Sequence, residues 1–402
     1  MSGPLHGIRV LDVTMNVMGP LAAQILGDMG ADVVKVEPPE GEPMRTVGVK
    51  GRDPTLSSQF LHLNRNKRSL VLDLKSAGAR EVIDRLVARS DVLVTSQRPQ
   101  AMSRLGLGYA EVSRRNPRII YASAFGYGQT GPYAAKPAYD DLIQAALGAP
   151  VLQSRDGEAP RFMATNIVDR ACGMALASAV GMALFHRERS GEGQAIEIPM
   201  FETMAQFIYG DHLYGQSLRP PVAPPRYTRM LERRPFRTSD GWIGMLLFND
   251  RHWQRFFAAI GEPHRSKEAP FASMAMRSER IAEVTAYLER LLPTRSTADW
   301  LALLDEADVP AMAVKTPEDV MDDPHLKAVG FLRDVEHPAA GPIRTFGVPS
   351  TWSRTQPDIR REPPLMGEHS AEVLAELGFD AAAIEALFAS RVSIDGRRKN
   401  RG

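Results

Sequence analysis

Short apolar runs alternate with amphipathic segments along the first part of the chain. Residues 8–13 form an apolar run that predicts a strand, and apolar positions at helical spacing over residues 20–29 predict a helix after it. Residues 33–36 then predict a second strand, which completes a βαβ unit. The alternation continues in a predicted helix at 81–89 and predicted strands at 91–95 and 119–124. This pattern predicts a doubly wound, Rossmann-like α/β domain.

The pattern changes near residue 219. The segment 219–225 reads Arg-Pro-Pro-Val-Ala-Pro-Pro, which indicates a stiff linker. Two strands and three helices are predicted beyond it, and two amphipathic helices near the carboxyl terminus are expected to pack on the first domain. We therefore predict a large α/β domain from residues 1–218 and 330–402, and a linker with a smaller α+β domain at 219–329.

The composition excludes several classes of function. The 402 residues include 49 Lys and Arg and 48 Asp and Glu, and this net charge of +1 argues against duplex nucleic acid as a partner. The single cysteine cannot form an internal disulfide and fits a reducing compartment. No apolar run approaches the roughly 20 residues that span a bilayer, and no signal peptide is evident. We therefore expect a cytoplasmic protein without nucleic-acid or membrane partners.

Familiar catalytic patterns are absent or incomplete. Residues 126–131 match G-x-G-x-x-G, but Pro132 and Pro137 predict a loop there and not the helix that receives a dinucleotide pyrophosphate. We interpret the segment as a glycine loop that a ligand can approach closely. The nine histidines form neither H-E-x-x-H nor an i, i+4 pair, and no G-x-S-x-G elbow occurs. The sequence therefore predicts no metal site.

Asp169 stands where an apolar stretch becomes a long helix rich in small residues, predicted at 169–188. An Asp in this position is a favoured helix N-cap. It is also a carboxylate at a βα junction of an open sheet, where such folds bind ligands. The residues alone leave both interpretations open. Cys172, on the same helix, has no histidine nearby in sequence and is interpreted as a packing residue rather than a thiolate nucleophile.

Six basic residues recur through the predicted α/β domain. Singly, each is most often a solvated surface charge, but together they could meet the phosphates of an anionic cofactor. These residues are Arg65, Lys67, Arg68, Arg98, Arg104 and Lys136.

Several separate segments, in order along nearly the whole chain, resemble the class III CoA-transferases, the family of formyl-CoA transferase, carnitine CoA-transferase and alpha-methylacyl-CoA racemase. The segments are PLHGIRVLD (4–12), LGDMGADVVKVE (26–37), NRNKRS (64–69), FGYGQTGPY (125–133) and PPLMGEH (363–369). The resemblance implies a homodimer in which two open, ring-shaped chains interlock. It also implies a large domain completed by the carboxyl-terminal helices, with the small domain in the middle third.

The resemblance implies a nucleophile and a binding site for coenzyme A. Transferases of this family carry an Asp shortly before a small-residue helix and a Gly soon after it, as Asp169 and Gly173 do here. Coenzyme A and acyl-CoA would be substrates, with no permanently bound cofactor. Val17 stands where formyl-CoA transferase has a Gln. The implied CoA-binding residues are Val17, Leu72, Lys75, Ser96, Gln97, Arg98, Arg104, Tyr139 and Asp140.

The expected reaction moves CoA from an acyl-CoA donor to a small carboxylic acid. Asp169, ionised with an ordinary pKa near ~3.9, would pass through an acyl anhydride and then an aspartyl-CoA thioester. Tyr139 and Asp140 replace the His-Asp pair of the racemase branch, which disfavours racemisation. Residues 245–249 are largely apolar where formyl-CoA transferase carries glycines, which favours a larger or more apolar acyl group. An acyl-CoA racemase or isomerase and a catalytically silent CoA-binding protein remain the alternatives.

Overall fold

The structure, a computed structural model, describes most of the chain in two units. The described residues are 3–154, 158–222 and 234–399. The two units are Met1–Ile208 with Ala328–Gly402, called the large unit, and Tyr209–Lys327, called the small unit. The predicted linker at 219–225 lies partly outside the described residues, from residue 223 onward.

The elements alternate between strand and helix in the first half of the chain, as the apolar pattern predicts. The strands are β1 (Arg9–Val13), β2 (Asp32–Glu37), β3 (Lys67–Leu72), β4 (Val92–Thr95), β5 (Ile120–Phe125), β6 (Gln194–Pro199), β7 (Phe236–Arg237), β8 (Trp242–Met245), β9 (Ala311–Ala313), β10 (Leu332–His337), β11 (Gly341–Phe346) and β12 (Ser393–Ile394). The helices are α1 (Met18–Asp28), α2 (Ser58–Leu61), α3 (Arg80–Arg89), α4 (Pro99–Arg104), α5 (Tyr109–Arg115), α6 (Asp140–Ala146), α7 (Ala149–Gln153), α8 (Ile167–Ser190), α9 (Met200–His212), α10 (Asp250–Ala259), α11 (Met274–Glu279), α12 (Ile281–Leu291), α13 (Thr297–Glu306), α14 (Pro317–Met321), α15 (Pro324–Ala328), α16 (Ser370–Glu376), α17 (Ala381–Ala389) and α18 (Gly396–Lys399).

The large unit is built on a seven-stranded sheet in the order β12-β3-β2-β1-β4-β5-β6. Strands β1 to β6 run parallel, and β12 is antiparallel to β3 at one edge. The predicted Rossmann-like fold is confirmed, because the order 3-2-1-4-5-6 is that of a doubly wound sheet. The order reverses between β1 and β4. The loops that follow these two strands therefore border a crevice at the carboxyl edge of the sheet, which we call the switch-point crevice.

Both faces of the sheet are covered, as a parallel sheet requires. On one face, α3, α5, α16 and α17 bury apolar side chains with the strands, and these include Val82, Val112, Leu374 and Ile384. The expectation that the carboxyl-terminal helices pack on the first domain is therefore confirmed. Helices α1 and α8 pack against each other, and α8 also packs against β5 and β6. The core thus fixes the two helices that border the candidate site.

Helix α8 is long and apolar enough to cross a membrane by length and composition alone. This corrects the expectation that no segment approaches that criterion. About 44% of its apolar window is buried inside the protein, and its buried face contains Val168, Leu176 and Val180. Because α8 packs against the sheet, its apolar composition is that of a core helix. The cytoplasmic location stays a prediction.

A cluster of buried charges lies beneath the start of α1. The ammonium Nζ of Lys67 donates to Asp12 Oδ2 at 2.9 Å, to the Pro20 carbonyl at 2.9 Å and to Asn64 Oδ1 at 3.0 Å. Lys35 Nζ lies 4.0 Å from Asp12 Oδ2, and Lys35, Lys67 and Asp12 are fully buried. Burial lowers the pKa of Lys67 to about 8 against the attraction of Asp12. The ammonium group is therefore charged at neutral pH and holds β1, β3 and α1 together.

Three of the six basic residues proposed for phosphate binding serve the fold instead. Arg65 pairs with Asp28 at 2.7 Å, and Lys67 belongs to the buried cluster described above. Arg68 pairs with Asp32 at 2.6 Å and reaches two glutamates of α16. The proposal that these three side chains meet phosphates is wrong, because their donors are already used by carboxylates of the fold.

The small unit has its own core. Strands β7, β8 and β9 form an antiparallel sheet, and α10, α12 and α13 bury aromatic side chains beside it. Trp253 and Trp300 are almost completely buried, and their indole N–H groups donate to the carbonyls of Leu247 and Leu292 at 3.0 and 2.7 Å. This arrangement agrees with the predicted α+β character of the middle segment.

We expect Lys67→Met to lower the free energy of unfolding by about 3–5 kcal/mol, because it leaves the Asp12 carboxylate buried without its main partner. Urea denaturation followed by circular dichroism measures this change. Lys267→Met, at an exposed lysine of the small unit, is the control and should stay within about 0.5 kcal/mol of the wild type. Equal stability of the two variants would contradict a central role for the buried cluster.

Candidate active site

The loop between β1 and α1 is fixed by groups of the buried cluster. The Asp12 carboxylate accepts from the Thr14 N–H at 2.9 Å, and Lys35 Nζ donates to the Thr14 carbonyl at 3.0 Å. Across the switch-point crevice, the Met15 N–H donates to Ser96 Oγ at 3.2 Å. The two loops that border the crevice are therefore tied together.

The same loop turns sharply before α1 begins. Asn16 has a left-handed backbone with φ 68°, which Asn tolerates better than most residues. Gly19 lies so close to Thr14 that a Cβ at position 19 would stand 2.4 Å from the Thr14 Cβ. Only glycine fits there, and the first turn of α1 can therefore close tightly against the loop.

Helix α8 approaches α1 at a second glycine. A Cβ on Gly173 would stand 2.7 Å from the Met18 carbonyl oxygen, and only glycine permits this approach. Asp169 lies one helical turn before Gly173 and so projects from the same side of α8. The close contact places Asp169 near the start of α1, which borders the switch-point crevice.

Asp169 is the third residue of α8 and not its N-cap. The N-cap position belongs to Asn166, whose side chain makes no capping hydrogen bond. The backbone N–H of Asp169 instead donates to Asp140 Oδ2 at 3.0 Å. The N-cap interpretation of Asp169 is therefore wrong, because a carboxylate from α6 caps this helix and leaves the Asp169 side chain available.

Burial and the neighbouring carboxyl group of Asp140 change the ionisation of Asp169. Burial raises the pKa of Asp169 to about 7, and the charge of Asp140 adds to the increase while Arg170 opposes it. The expectation of an ordinary pKa near ~3.9 is therefore wrong for the ligand-free protein.

Burial also raises the pKa of Cys172 to about 12. This thiol is fully buried, which fits a packing residue rather than a nucleophile.

Among the predicted CoA-binding residues, Ser96 and Gln97 lie directly at the switch-point crevice. Both follow β4 and are half-buried, and the Gln97 N–H donates to Thr95 Oγ1 at 3.1 Å. Val17 precedes α1 at the same crevice, but its side chain is buried. Any contact of Val17 with a ligand would therefore have to use its backbone.

The remaining predicted contacts extend away from the crevice. Leu72 ends β3 with its side chain in the core, which leaves only its backbone for a ligand. Lys75, Arg98 and Arg104 are exposed. Tyr139 is 66% exposed and precedes α6, whereas Asp140 begins α6 and is only 7% exposed. The structure therefore brings Asp140 and Asp169 together and leaves the three basic side chains on the surface, where Arg104 Nε donates to the Gln100 carbonyl at 3.3 Å.

The glycine loop at residues 126–131 is confirmed as a loop, and α9 anchors it. Glu202 Oε1 accepts from the Gly128 N–H at 2.9 Å, and the Phe201 N–H donates to the Gly126 carbonyl at 2.9 Å. Lys136 lies 3.7 Å from the centre of the Tyr133 ring beside this loop. Sequence reasoning missed Glu202, which lies more than 70 residues from its partner.

Sequence reasoning also missed Gln144, which contacts the site carboxylate Asp140. Gln144 Nε2 donates to Asp140 Oδ1 at 2.6 Å. The two residues are four apart on α6, a spacing at which helical side chains meet. That spacing, once a helix is assigned at 140–146, is the signal that could have identified it.

Comparison with known proteins agrees with this geometry. The sequence profile described as CoA-transferase family III matches residues 5–370. The chain belongs to this family. The resemblance noted from the sequence motifs is thereby confirmed, and the protein is an enzyme of the CoA-transferase class.

Two similar proteins and one crystal structure illustrate the family III CoA-transferases. A probable fatty acyl-CoA transferase of Mycobacterium tuberculosis is 34% identical over 92% of this chain and 98% of its own length. A succinate–glutarate CoA-transferase of Agrobacterium fabrum is 32% identical over 93% and 96%. A crystal structure of the M. tuberculosis protein matches with a TM-score of 0.82 at 33% identity, covering 92% of this chain and 99% of the other.

If Asp169 is the nucleophile, we expect kcat/KM of the wild-type transferase to rise about tenfold from pH 6 to pH 8, because only its ionised form can attack and burial raises its pKa to about 7. Asp140→Asn removes the neighbouring charge and should move the midpoint of this rise to lower pH by about one unit. Initial rates across a pH series measure both effects. An unchanged midpoint in Asp140→Asn would show that this carboxylate does not control Asp169.

Proposed function

We propose that this family III CoA-transferase moves CoA from an acyl-CoA donor to a carboxylic acid through covalent intermediates on Asp169. The observation that carries this proposal is the position of Asp169, half-buried on the first turn of α8 beside the switch-point crevice. A carboxylate there is shielded from bulk water, which protects a reactive anhydride from hydrolysis.

The first half-reaction loads CoA onto the enzyme. An oxygen of the Asp169 carboxylate attacks the thioester carbonyl carbon, the C–S bond breaks and CoA leaves as the thiolate, which gives an aspartyl-acyl anhydride. The thiolate then attacks the Asp169 carbonyl carbon, and the donor acid leaves as its carboxylate. The product is an aspartyl-CoA thioester.

The second half-reaction runs the same steps in the opposite order with the acceptor acid. The acceptor carboxylate attacks the aspartyl thioester and releases the CoA thiolate, which then attacks the acyl carbonyl of the new anhydride. Acyl-CoA leaves, and the Asp169 carboxylate is restored. One thioester is exchanged for another, so the cycle consumes no ATP.

Three exposed basic side chains outside the crevice support binding of the CoA phosphates. Lys75, Arg98 and Arg104 have long, solvent-exposed side chains, which can fold onto phosphate groups as these bind. Ser96 and Gln97 would lie along the pantetheine, while Val17 and Leu72 would offer backbone groups. Tyr139 and Asp140 would lie near the thioester beside Asp169.

An apolar acyl group is the substrate class that we propose. Residues 246–248 of the small unit read Leu-Leu-Phe, and the side chains of Leu246 and Phe248 are about half exposed while Leu247 is buried. These residues stand where formyl-CoA transferase, by the resemblance, carries glycines, and this difference favours a longer acyl group over formate or oxalate. The M. tuberculosis relative named as a probable fatty acyl-CoA transferase supports the same class.

The racemase alternative is less well supported by the site. Racemisation needs an acid and a base on opposite faces of the α-carbon. Asp140 accepts hydrogen bonds on both oxygens, from Gln144 and from the Asp169 N–H. It is therefore engaged as a structural acceptor and is poorly placed to exchange protons with a substrate.

We expect Asp169→Ala to lower the rate of CoA transfer at least about a thousandfold, because the variant lacks the carboxylate on which the proposed intermediates form. A panel of acyl-CoA donors and free acids, sampled by mass spectrometry, measures the transfer. Hydroxylamine added during turnover should convert Asp169 of the wild type into a hydroxamate.

The control is Asp305→Ala, which removes an exposed carboxylate of the small unit and should keep wild-type rates. Transfer by Asp169→Ala at the wild-type rate would refute the covalent mechanism. Tight CoA binding without transfer to any acid would instead favour a silent binding protein. Deuterium entering the α-carbon from solvent without an acceptor acid would favour the racemase.

We also propose that the enzyme is a homodimer in which a second copy covers the outer face of α8. Met174, Met182 and Phe185 lie on one side of this helix and are each more than 60% exposed. Adjacent large apolar side chains of this kind mark an association surface. The resemblance predicts two interlocked rings, so the partner that covers this face of α8 would be a second copy of the chain.

We expect Phe185→Glu combined with Met182→Glu to convert the dimer into a monomer at micromolar concentration, because two charges would have to be buried in the contact. Sedimentation velocity measures the mass, and circular dichroism checks that the helices are kept. A wild-type protein that sediments as a monomer would reject the dimer. A variant that stays dimeric would place the contact elsewhere.

A further inference from the structure

Gln144 is almost completely buried on α6 and uses both ends of its amide group. Its Nε2 donates to Asp140 Oδ1 at 2.6 Å, and its Oε1 accepts from the backbone N–H of Met163 at 3.1 Å. The side chain is 1% exposed. Gln144 therefore joins α6 to the segment that leads into α8.

The second oxygen of Asp140 continues this connection. Asp140 Oδ2 accepts from the Asp169 N–H at 3.0 Å, so three hydrogen bonds in series run from Met163 through Gln144 and Asp140 to Asp169. A carboxyl group that accepts on both oxygens is ionised, because a protonated oxygen would donate instead. The series therefore fixes a negative charge beside the start of α8.

We propose that Gln144 is a positioning residue for CoA transfer, which holds the ionised Asp140 in the one orientation that caps α8 at Asp169. This inference rests on the proposed role of Asp169 as nucleophile. Gln144 does not touch the reacting atoms. It acts through the rotamer of Asp140 and through the path of the backbone at Met163.

The chemistry of the amide explains why glutamine occupies this position. Only a side chain that donates at one end and accepts at the other can satisfy both Asp140 Oδ1 and the Met163 N–H. A glutamate would face the Asp140 carboxylate with a second negative charge unless it were protonated. A methionine of similar size would leave two polar groups without their present partner.

Charged groups from α6 and α8 act on Asp169 and therefore affect the pH dependence of the transfer rate. Asp140 and Asp141 of α6 raise its pKa, and Arg170 of α8 lowers it. The Cys172 thiol lies on α8 as well, and burial keeps it protonated throughout the working pH range. A change at position 144 reaches Asp169 through Asp140, so it should alter the pH profile as well as the rate.

The test compares Gln144→Glu and Gln144→Met with the wild type from pH 6 to pH 8.5. We expect kcat of Gln144→Glu to be about 10–100-fold below wild type at pH 8, with KM for acyl-CoA within about threefold. The ratio of variant to wild-type kcat should rise as the pH falls, because a protonated glutamate can donate to Asp140 as the amide does. Gln144→Met should lower kcat about tenfold, and the midpoint of its kcat/KM profile should move to lower pH.

Gln254→Glu makes the same chemical change at an exposed site on α10 and should keep the wild-type kcat at every pH. A pH-independent ratio for Gln144→Glu, or a loss confined to KM, would overturn the positioning role. If Gln144→Glu does not fold, the midpoint shift in Gln144→Met decides the question, and an unshifted midpoint rejects the proposal. A wild-type enzyme without any transfer would refute the proposed function, whereas an active wild type with unaffected Gln144 variants would refute this inference alone.

Discussion

The position of the candidate site depends on two lysine ammonium groups buried beneath the start of α1. Lys67 neutralises Asp12 and holds the Pro20 carbonyl, while Lys35 holds the Thr14 carbonyl. Both ends of the β1–α1 loop are thus fixed by charge-assisted hydrogen bonds from fully buried ammonium groups, where such bonds are strong and costly to break. A loop held in this way is rigid. Because Gly173 of α8 packs directly on the Met18 carbonyl, the rigidity extends to the helix that carries Asp169.

The same packing places two carboxyl groups close together. Asp140 acts as the capping residue for α8, so the Asp169 side chain is not needed to cap this helix. Ionising Asp169 costs free energy in the folded state, because the carboxyl group is partly buried and Asp140 adds its negative charge. The raised pKa of Asp169 expresses this cost. Between its ordinary value and about 7, each rise in pH therefore lowers the stability of the folded chain relative to the unfolded one.

The sequence identified the parts of the fold that depend on local patterns. The strands that become β1, β2, β4 and β5 are apolar runs, and Asp169 was found from a motif shared with a known family. Strand β3 was missed because it begins with Lys67, Arg68 and Ser69, which are buried only through partners distant in sequence. The capping of α8 was misread for the same reason, since its acceptor, Asp140, lies 29 residues earlier. Neither the pKa of Asp169 nor the burial of Leu72 can be deduced before the tertiary contacts are known.

The raised pKa of Asp169, which comes from burial and from repulsion by Asp140, also has a chemical consequence for the proposed acyl transfer. A carboxylate with a pKa near 7 is more basic than an ordinary aspartate, and it is correspondingly a better nucleophile toward a thioester. In the proposed mechanism, Asp169 loses its negative charge when it becomes an anhydride or a thioester, and the repulsion from Asp140 then disappears. The free enzyme is thus raised in energy relative to its covalent intermediates, which brings the reactive anhydride closer to the carboxylate in free energy. The two hydrogen bonds that Asp140 accepts, from Gln144 and from the Asp169 N–H, keep this carboxyl group beside Asp169, where its charge can act on the reaction.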